Sequence, residues 1–408
     1  MRNDVIIVGG GASGLCAAVL IKKLCADKTV RLLEALPRVG KKLIVTGNGR
    51  CNISNKDISI NHYHGENREF CEYALEKYDL SVCREFFESI GVPFTFEEEK
   101  AYPSSLQAGS VVDCLRFAAE ELGVIIHTDT KVTNINSLGK YYKVIAGKLS
   151  FVADNVIIAT GGLAGGEKFG CSGDMLEIFK KAGFKTVKQF PSIVQIKTVN
   201  DITKQLKGIK VDADVRIEKD GKVLRREFGE VLFTDYGLSG PPILQISREV
   251  SENGGNKIFI DTMPDVDATS LCKIIIDRAK LFKNRQFEEF FTGMPNKRVG
   301  QVILKQAGLK LTDKAETLTD QTAFKITDII KNMEFDVTGT TGFANAQATA
   351  GGLDTTQFNP KTMESAEFKN LYCIGEILDI DGDCGGFNLQ WAWSSAMCAA
   401  YAICGDGK

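Results

Sequence analysis

Histidine and a strong charge of either sign are what this sequence has least of. Its 408 residues include 3 His, and the formal net charge is −2. A chain so close to neutral has no overall field that would draw it to nucleic acid or to a membrane surface. With so few histidines, acid–base chemistry has to be sought among other residue types as well.

Long apolar runs and paired cysteines are also missing. Since no run approaches the roughly 20 residues that span a bilayer, we expect no membrane contact, and the start of the chain predicts no signal peptide. None of the 12 Cys forms a Cys-x-x-Cys pair and no Cys/His spacing suits zinc, so we expect mostly buried, unpaired thiols in a cytoplasmic protein. The cysteines are Cys16, Cys25, Cys51, Cys71, Cys83, Cys114, Cys171, Cys272, Cys373, Cys384, Cys398 and Cys404.

The beginning of the chain has the pattern of a dinucleotide-binding βαβ unit. An apolar strand, Val5–Val8, leads into Gly9, Gly11 and Gly14, and a helix and a second strand follow before Glu34. The first glycine allows a tight turn, the second lets the backbone approach a pyrophosphate, and the third allows close helix–strand packing. Glu34 lies at the distance expected of a ribose ligand. The alternative is a glycine-rich turn in an ordinary α/β sheet.

Two later segments favour FAD over NAD as the cofactor. "NVIIATGG" (155–162) is a strand with a glycine turn, and "LYCIGEILDIDGDCGGFNLQ" (371–390) is another strand before a helix that begins near Asn388. This layout is typical of flavoproteins with a split dinucleotide fold, in which the N-terminus of the last helix faces the flavin ring. No second Gly-x-Gly-x-x-Gly opens a βαβ unit, so NAD(P)H would visit the flavin as a transient electron donor.

The middle of the chain has a different pattern. Alternating residues around a turn at 219–222 predict a β-hairpin, and an amphipathic, charged, helical pattern follows. We therefore predict an α/β fold: a split, Rossmann-like FAD domain with an inserted β-barrel-like domain and a small helical cap. The predicted bounds are 1–189 and 342–408 for the FAD domain, 190–263 and 331–341 for the β domain, and 264–330 for the cap.

Residues 273–310 of the helical part carry nine basic residues against three acidic ones. A solvated charged face accounts for this pattern without any partner. The alternative is contact with RNA phosphates, although no interleaved aromatic residues accompany the charges. The oligomeric state is left open by the sequence.

Several longer blocks resemble one family over nearly the whole chain and in the right order. They are "VIIVGGGASGL", "GKKLIVTGNGRCNIS", "LFTDYGLSGPPIL", "ATAGGLD" and "GEILDIDGDCGGFNLQWAWSSA". Together they resemble the bacterial flavoproteins described as BaiN-like or aminoacetone-oxidase-like. The resemblance implies non-covalent FAD, a split FAD domain, an inserted β domain and a helical cap.

The resemblance implies three activities, and the sequence leaves all of them open. The first is reduction of a C=C bond in a 3-oxo-Δ4,6 bile-acid or steroid-like molecule, and the unpaired thiols favour it because they suit a low-oxygen cell. The second is reduction of an rRNA uridine to dihydrouridine. The third is oxidation of aminoacetone with O₂. A flavin-bearing RNA-binding protein with little turnover is a further alternative.

A C=C reduction needs a proton donor near the flavin. We predict Cys384, directly before the last helix, or Tyr236 of the inserted domain. His62 and His64 are predicted to lie on a polar surface loop, and His127 to be structural.

The stretch "VTGNGRCNIS" (45–54) places a cation beside the Cys51 thiol, which would favour a reactive thiolate. No partner thiol lies close in sequence, so we interpret the stretch as a flavin cradle. Asp379, Asp381 and Asp383 resemble a metal cluster, but we predict that they order a loop and bind the ribityl chain, with no metal.

The residues predicted to contact FAD follow from these motifs. They are Gly9, Gly11, Ala12, Ser13, Gly14, Glu34, Ala35, Lys42, Gly49, Arg50, Cys51, Asn52, Val132, Ala159, Thr160, Gly161, Gly375, Glu376, Asp379, Gly386, Phe387, Asn388 and Leu389.

Overall fold

The computed structural model describes residues 2–199, 201–254, 256–294 and 296–405, which form two compact units. The first unit contains the chain up to Ser192 and from Phe343 onwards, and the second contains Ile193–Gly342. The barrel strands and the helices of the second unit pack around one hydrophobic cluster. The division of that unit into a β domain and a helical cap stays a prediction.

The strands and helices are numbered here in chain order. The strands are β1 (Arg2–Val8), β2 (Val30–Leu33), β3 (Ser54–Asn55), β4 (Tyr63–His64), β5 (Phe94–Glu97), β6 (Lys100–Pro103), β7 (Ile125–His127), β8 (Asn134–Ser137), β9 (Tyr142–Ala146), β10 (Leu149–Ile158), β11 (Thr186–Ser192), β12 (Ile196–Thr198), β13 (Lys210–Lys219), β14 (Lys222–Phe233), β15 (Gly237–Ser239), β16 (Lys257–Asp261), β17 (Met333–Thr340), β18 (Ala348–Leu353), β19 (Leu371–Cys373) and β20 (Asp381–Gly382). The helices are α1 (Ala12–Leu24), α2 (Glu72–Lys77), α3 (Leu80–Glu88), α4 (Ala108–Glu121), α5 (Asp174–Lys181), α6 (Ile202–Gln205), α7 (Pro241–Asn253), α8 (Ala268–Leu281), α9 (Lys297–Gln306), α10 (Asp320–Lys331) and α11 (Phe387–Cys404).

The main sheet of the first unit confirms the predicted Rossmann-like fold. Its strands lie in the order β7-β2-β1-β10-β9-β8, with β19 also paired to β10. β7, β2, β1, β10 and β19 are parallel, and Val8, Ile158 and Cys373 lie opposite one another at the carboxyl ends of their strands. Ligands of open parallel sheets bind at this edge, where the chain leaves neighbouring strands in different directions.

Helix α11 lies in the core of the first unit and packs along α1. Trp391 and Trp393 are buried in its first half, and most of the helix has no exposed face. Its polar side chains are satisfied internally, since Gln390 Nε2 and Ser394 Oγ both donate to the Tyr78 carbonyl at 2.8 and 2.7 Å. A helix that is apolar on all sides is typical of an interior position.

One predicted strand is interrupted. The pattern at 123–135 predicts a single strand, but β7 ends at His127 and β8 begins at Asn134. Between them Asp129 has a φ of +50°, and the N–H of Thr130 donates to the Glu34 carbonyl at 2.8 Å. The chain turns here because its backbone groups bond to the loop after β2 rather than to a sheet neighbour.

The second unit contains a closed barrel of strands in the order β12-β15-β14-β13-β16-β17. The predicted hairpin is confirmed: Lys219 pairs with Lys222 across Asp220 and Gly221, whose φ values are +51° and +76°. Positive φ at both central residues is typical of a two-residue hairpin turn. Helix α7 begins at Pro241, where a missing N–H costs nothing. Among the described residues, no helix is long and apolar enough to span a bilayer.

Strand β14 offers a matched pair of phenylalanines for a stability test. Phe233 is fully buried in the barrel core, whereas Phe228 on the same strand is 64% exposed. Phe233→Ala should lower the free energy of unfolding by about 3–5 kcal/mol, because it leaves a cavity in the core. Phe228→Ala should change that free energy by less than about 0.5 kcal/mol. Urea titration of both variants measures the difference, and equal midpoints would contradict this packing.

Candidate functional site

The glycines after β1 shape its turn as their spacing predicts. A methyl group on Gly9, whose φ is +105°, would lie 2.4 Å from the Ala159 carbonyl oxygen, and one on Gly14 would lie 2.0 Å from that of Gly9. A methyl group on Gly11 would meet nothing within 4 Å. Gly11 also has no side chain to cap α1, so the first N–H groups of the helix can face an anion.

Glu34 is held at the end of β2 by backbone groups. Its Oε2 accepts from the N–H of Gly10 and its Oε1 from that of Leu36, each at 2.8 Å. Burial raises the pKa of the carboxyl group, and the backbone hydrogen bonds oppose that rise. A carboxylate has about four acceptor sites, so oxygen lone pairs remain that can accept from a diol.

Glu376 connects four parts of the first unit. Its Oε2 accepts from Lys42 Nζ and its Oε1 from the N–H of Thr349, each at 2.7 Å. Thr349 Oγ1 in turn accepts from the N–H groups of Leu163 and Ala164, each at 2.9 Å. Burial lowers the pKa of Lys42, but the adjacent Glu376 carboxylate outweighs it and the net shift is upward, so the ammonium stays charged.

The three turns at the carboxyl edge of the sheet meet. The N–H of Ala159 donates to the Val8 carbonyl at 2.8 Å. A methyl group on Gly375 would lie 2.9 Å from Ser13 Oγ, and one on Gly161 would lie 3.8 Å from Glu376 Oε2. The structure therefore brings the predicted residues of β1, β10 and β19 to one place.

The stretch at 45–54 is a tight, irregular loop. Gly47 and Asn48 have φ values of +56° and +55°, and Cys51 has +57°. The Arg50 guanidinium forms an ion pair with Glu97 and lies over the Tyr102 ring, 4.5 Å from its centroid. The charge next to the thiol in sequence is thus directed towards a carboxylate.

Cys51 itself is fully buried, which is inconsistent with a reactive thiolate. Burial raises its pKa to about 12, and a hydrogen bond with Thr46 opposes the rise only in part. The burial argues against a thiol catalyst, and the flavin cradle stays a prediction.

The Cys51 loop continues into contacts with the start of α11. Asn55 Nδ2 donates to the Gly385 carbonyl at 2.9 Å, and Trp393 Nε1 donates to the Ile53 carbonyl at 3.0 Å. Gly386 has a φ of +101°, and a methyl group there would lie 2.4 Å from the Ser54 carbonyl oxygen. Glycine is required at this position by conformation and by space.

Phe387 and Asn388 begin α11, and Leu389 packs partly buried against the core. The Asn388 side chain closes the preceding loop, accepting from the N–H of Gly382 at 3.0 Å and donating to its carbonyl at 2.7 Å. The Asn388 side chain is therefore a brace for the loop. Its backbone N–H, in the first turn of the helix, can still face an anion.

The three aspartates before α11 are buried and serve as loop residues. Asp379 Oδ2 accepts from the N–H of Glu66 at 2.8 Å. Asp381 of β20 lies opposite His64 of β4 in the backbone pairing of the two strands. Asp383 accepts from two imidazoles, those of His62 and His64, at 3.2 and 3.0 Å. Within the described ranges, no group of three or more His, Cys, Asp and Glu side chains is arranged to hold a metal ion.

The prediction that His62 and His64 lie on a polar surface loop is wrong. Both side chains are less than one-third exposed, and both bond to Asp383 beside α11. The β4–β20 pairing that brings them there joins residues more than 300 positions apart. The alternation in "HYH" is the one local signal that could have indicated a strand.

The remaining predicted residues lie in different surroundings. Cys384 is partly exposed beside Asp383, and burial raises the pKa of its thiol. Tyr236 belongs to the second unit and is 39% exposed. Val132 is buried between β7 and β8, and Ala35 is exposed after β2.

Thr349 was missed by the sequence analysis, because its partners lie far away in the chain.

A comparison with family models matches residues 3–402 to the HI0933-like protein Rossmann domain. The chain belongs to the HI0933-like family. The family assignment covers both units, and it confirms the resemblance found in the sequence motifs.

Two curated relatives match this HI0933-like protein over almost their whole length. A 3-dehydro-bile acid delta(4,6)-reductase of Clostridium scindens is 33% identical over 404 residues, which are 98% of each chain. A ribosomal RNA dihydrouridine synthase of Haemophilus influenzae is 28% identical over 412 residues, again 98% of each. Among solved structures, the 3-ketosteroid delta1-dehydrogenase of Sterolibacterium denitrificans shares the fold, with a TM-score of 0.51, 13% identity and 99% coverage of both chains.

The HI0933-like protein is therefore a flavin-dependent oxidoreductase with FAD as its cofactor, as predicted. The carboxyl edge of the sheet fits this group. It has open space at Gly11 and a carboxylate at the end of β2. It also has two buried oxygens, Asn52 Oδ1 and Thr160 Oγ1, that find no hydrogen-bond partner among the described residues. Buried polar atoms without partners are uncommon, and a bound ligand would satisfy them.

Substitutions at Gly11 and Gly14 should distinguish an effect on cofactor binding from an effect on folding. Gly11→Ala should keep the stability of the apoprotein while weakening FAD binding at least about tenfold, because the methyl group occupies the open cradle. Gly14→Ala should lower the free energy of unfolding by about 1–3 kcal/mol, since its methyl group meets the Gly9 carbonyl. FAD titration followed by fluorescence and urea unfolding of the apoprotein measure both effects. Unchanged FAD affinity in Gly11→Ala would contradict the placement.

The burial of Cys51 predicts a slow thiol. In native protein near pH 8, a pKa of about 12 leaves about one thiolate in ten thousand, so iodoacetamide should leave Cys51 unmodified. Half-buried Cys25 serves as the comparison in the same sample, and both should react after unfolding in urea. Peptide mass mapping measures the modification. Native-state labelling of Cys51 as fast as that of Cys25 would restore the thiolate interpretation.

Proposed function

We propose that this protein reduces an activated C=C bond of a 3-oxo-Δ4,6 bile acid or a related steroid. The observation that carries the proposal is the 33% identity to a bile-acid delta(4,6)-reductase over 98% of both chains. In such a reduction one carbon of the conjugated system receives a hydride and its neighbour receives a proton. A bound FAD supplies the hydride when it is reduced.

The carboxyl edge of the first unit's sheet would hold the FAD. The turn of Gly9, Gly11 and Gly14 and the first turn of α1 would bind the pyrophosphate through backbone N–H groups. Glu34 would accept hydrogen bonds from a ribose, and Val132 would lie beside the adenine. The other predicted contacts, from 42–52, 159–161 and 375–389, would surround the flavin and its ribityl chain.

Cys384 is our first candidate for the proton donor. Burial raises the pKa of its thiol, so the proton stays on sulfur until a stronger base is formed nearby. The residue also directly precedes the glycines that open α11. Tyr236 of the second unit is the second candidate. NAD(P)H is proposed as the transient electron donor, reaching the flavin without a dinucleotide fold of its own.

Reduction of an rRNA uridine is the second candidate function, favoured by the 28% identity to the dihydrouridine synthase. The basic residues at 273–310 would then contact phosphates. Several of them are engaged within the second unit: Arg278 donates to the Phe290 and Thr292 carbonyls, and Lys280 pairs with Asp277 at 3.0 Å. The number of basic side chains that could contact RNA is therefore lower than the nine counted in the sequence, which favours the small substrate.

Anaerobic reoxidation of the photoreduced holoenzyme tests the proposal. A 3-oxo-Δ4,6 bile acid should reoxidise the flavin and gain two mass units. The matched saturated 3-oxo bile acid should do neither, because it lacks the conjugated bond. The flavin absorbance and the product mass are measured.

Other results of the same experiment would contradict the proposal. Reoxidation by an rRNA fragment but not by the enone would favour the dihydrouridine synthase. Rapid reoxidation by O₂ with consumption of aminoacetone would favour the oxidase. RNA binding without reoxidation by any of these compounds would favour the RNA-binding protein with little turnover.

A further inference from the structure

Four titratable side chains form a continuous hydrogen-bonded chain beside α11. His62 lies between two carboxylates, with its Nε2 3.2 Å from Asp57 Oδ2 and its Nδ1 3.2 Å from Asp383 Oδ2. His64 Nε2 lies 3.0 Å from the other oxygen of Asp383. A carboxylate only accepts hydrogen bonds, so each His62 nitrogen donates to its neighbouring carboxylate when that nitrogen carries a hydrogen.

The exposure of these side chains falls steadily along the hydrogen-bonded chain from Asp57 to Asp383. The Asp57 side chain is 63% exposed, that of His62 31%, and that of Asp383 8%. Asp57 is therefore in contact with bulk water, whereas Asp383 is almost removed from it. His62 bonds to both carboxylates. An imidazole can accept a proton at one nitrogen while it releases one at the other.

Packing and backbone bonds fix the cluster on the start of α11. The His62 ring stacks on Phe387, with centroids 4.4 Å apart and planes 18° apart. The N–H of Asp383 donates to the His62 carbonyl at 2.9 Å, and the Tyr63 hydroxyl donates to the Phe387 carbonyl at 3.2 Å. The histidine loop and the first turn of α11 therefore hold one geometry together.

Cys384 follows Asp383 in the chain, and several charged groups act on its thiol. Burial raises its pKa first, Lys100 lowers it, and the Asp383 carboxylate raises it. Burial raises the pKa of the nearby Tyr102 phenol first, and Cys384 adds to that rise. The buried end of the hydrogen-bonded chain is thus electrostatically coupled to the proposed proton donor.

We propose that Asp57, His62 and Asp383 form a proton relay that leads from solvent to the Cys384 thiol, and the inference rests on the proposed C=C reduction. When the substrate carbon takes the thiol proton, the S–H bond breaks and a thiolate remains. His62, neutral and with its hydrogen on Nδ1, gives that proton to Asp383, which passes a proton on to sulfur. Solvent returns a proton to His62 Nε2 through Asp57, and the ring regains its starting tautomer by proton exchange with solvent. Each turnover moves one proton inward, and the hydride of the reduction accounts for the other added hydrogen.

His62→Gln tests the relay, because glutamine can keep a hydrogen bond but cannot pass a proton. We expect the kcat for the enone to fall at least about tenfold with little change in KM, and more at high pH, where protons are scarce. Imidazole in the buffer should restore much of the activity of His62→Ala. His64→Gln is the matched control, since it removes one bond to Asp383 and leaves the path intact, so kcat should change less than about threefold.

Asp57→Asn gives a second variant on the exposed end of the relay, where the substitution does not disturb packing. Its kcat should fall in the same direction as that of His62→Gln. Equal losses in His62→Gln and His64→Gln without rescue by imidazole would overturn the relay and assign the cluster a structural role. An unchanged kcat in both His62→Gln and Asp57→Asn would overturn it as well.

Alkylation of Cys384 in the resting holoenzyme is a readout that does not depend on turnover. The Asp383→Asn variant should move the midpoint pH for reaction with iodoacetamide downward, because it removes the carboxylate that raises the pKa of the thiol. Cys51 in the same peptide map serves as the internal reference. If the enone does not reoxidise the reduced wild-type protein, the proposed function fails. Separately, an unshifted Cys384 midpoint in Asp383→Asn would overturn the coupling between Asp383 and the Cys384 thiol.

Discussion

The arrangement of the carboxyl edge of the first unit's sheet depends on the hydrogen bonds of the Glu376 carboxylate. This carboxylate accepts from Lys42 on one oxygen and from the Thr349 backbone on the other, and Thr349 holds the two amides of Leu163 and Ala164. Strand β18 and the segments that follow β2, β10 and β19 therefore meet at one side chain. Because the ion pair is partly withdrawn from water, removing either partner would leave an uncompensated charge inside the fold. The geometry of the cradle is thus a property of the whole unit rather than of the glycine motif alone.

Local sequence was sufficient for much of the fold and of the cofactor site. The turn from Gly9 to Gly14, the strand ending at Ile158 and the hairpin at 219–222 each depend on a few adjacent residues, so their patterns predicted them directly. The burial of Cys51 was also anticipated, because a lone thiol without a nearby partner behaves as a small hydrophobe. These features are local in the chain, and the physical rules that govern them act over the same short range.

The features that sequence analysis missed depend on distant partners. His62 and His64 were predicted to be solvent-exposed because their neighbours in sequence are polar, yet Asp383 determines their environment. Likewise the strand predicted over 123–135 is interrupted because Thr130 bonds to the Glu34 carbonyl, a partner that its own pattern does not contain. Register and side-chain pairing between segments hundreds of residues apart are set by tertiary packing, and no local periodicity encodes them.

The burial of α11 has a consequence for the order in which the protein can fold. The sheet of the first unit lacks β19, and its core lacks α11, until the ribosome has passed the entire second unit. The second unit is continuous in the chain and can close its barrel as soon as β17 has emerged. The early part of the first unit must meanwhile wait with apolar strand and helix faces uncovered, which is a state prone to aggregation. Synthesis rate and chaperone supply should therefore affect the yield of this protein.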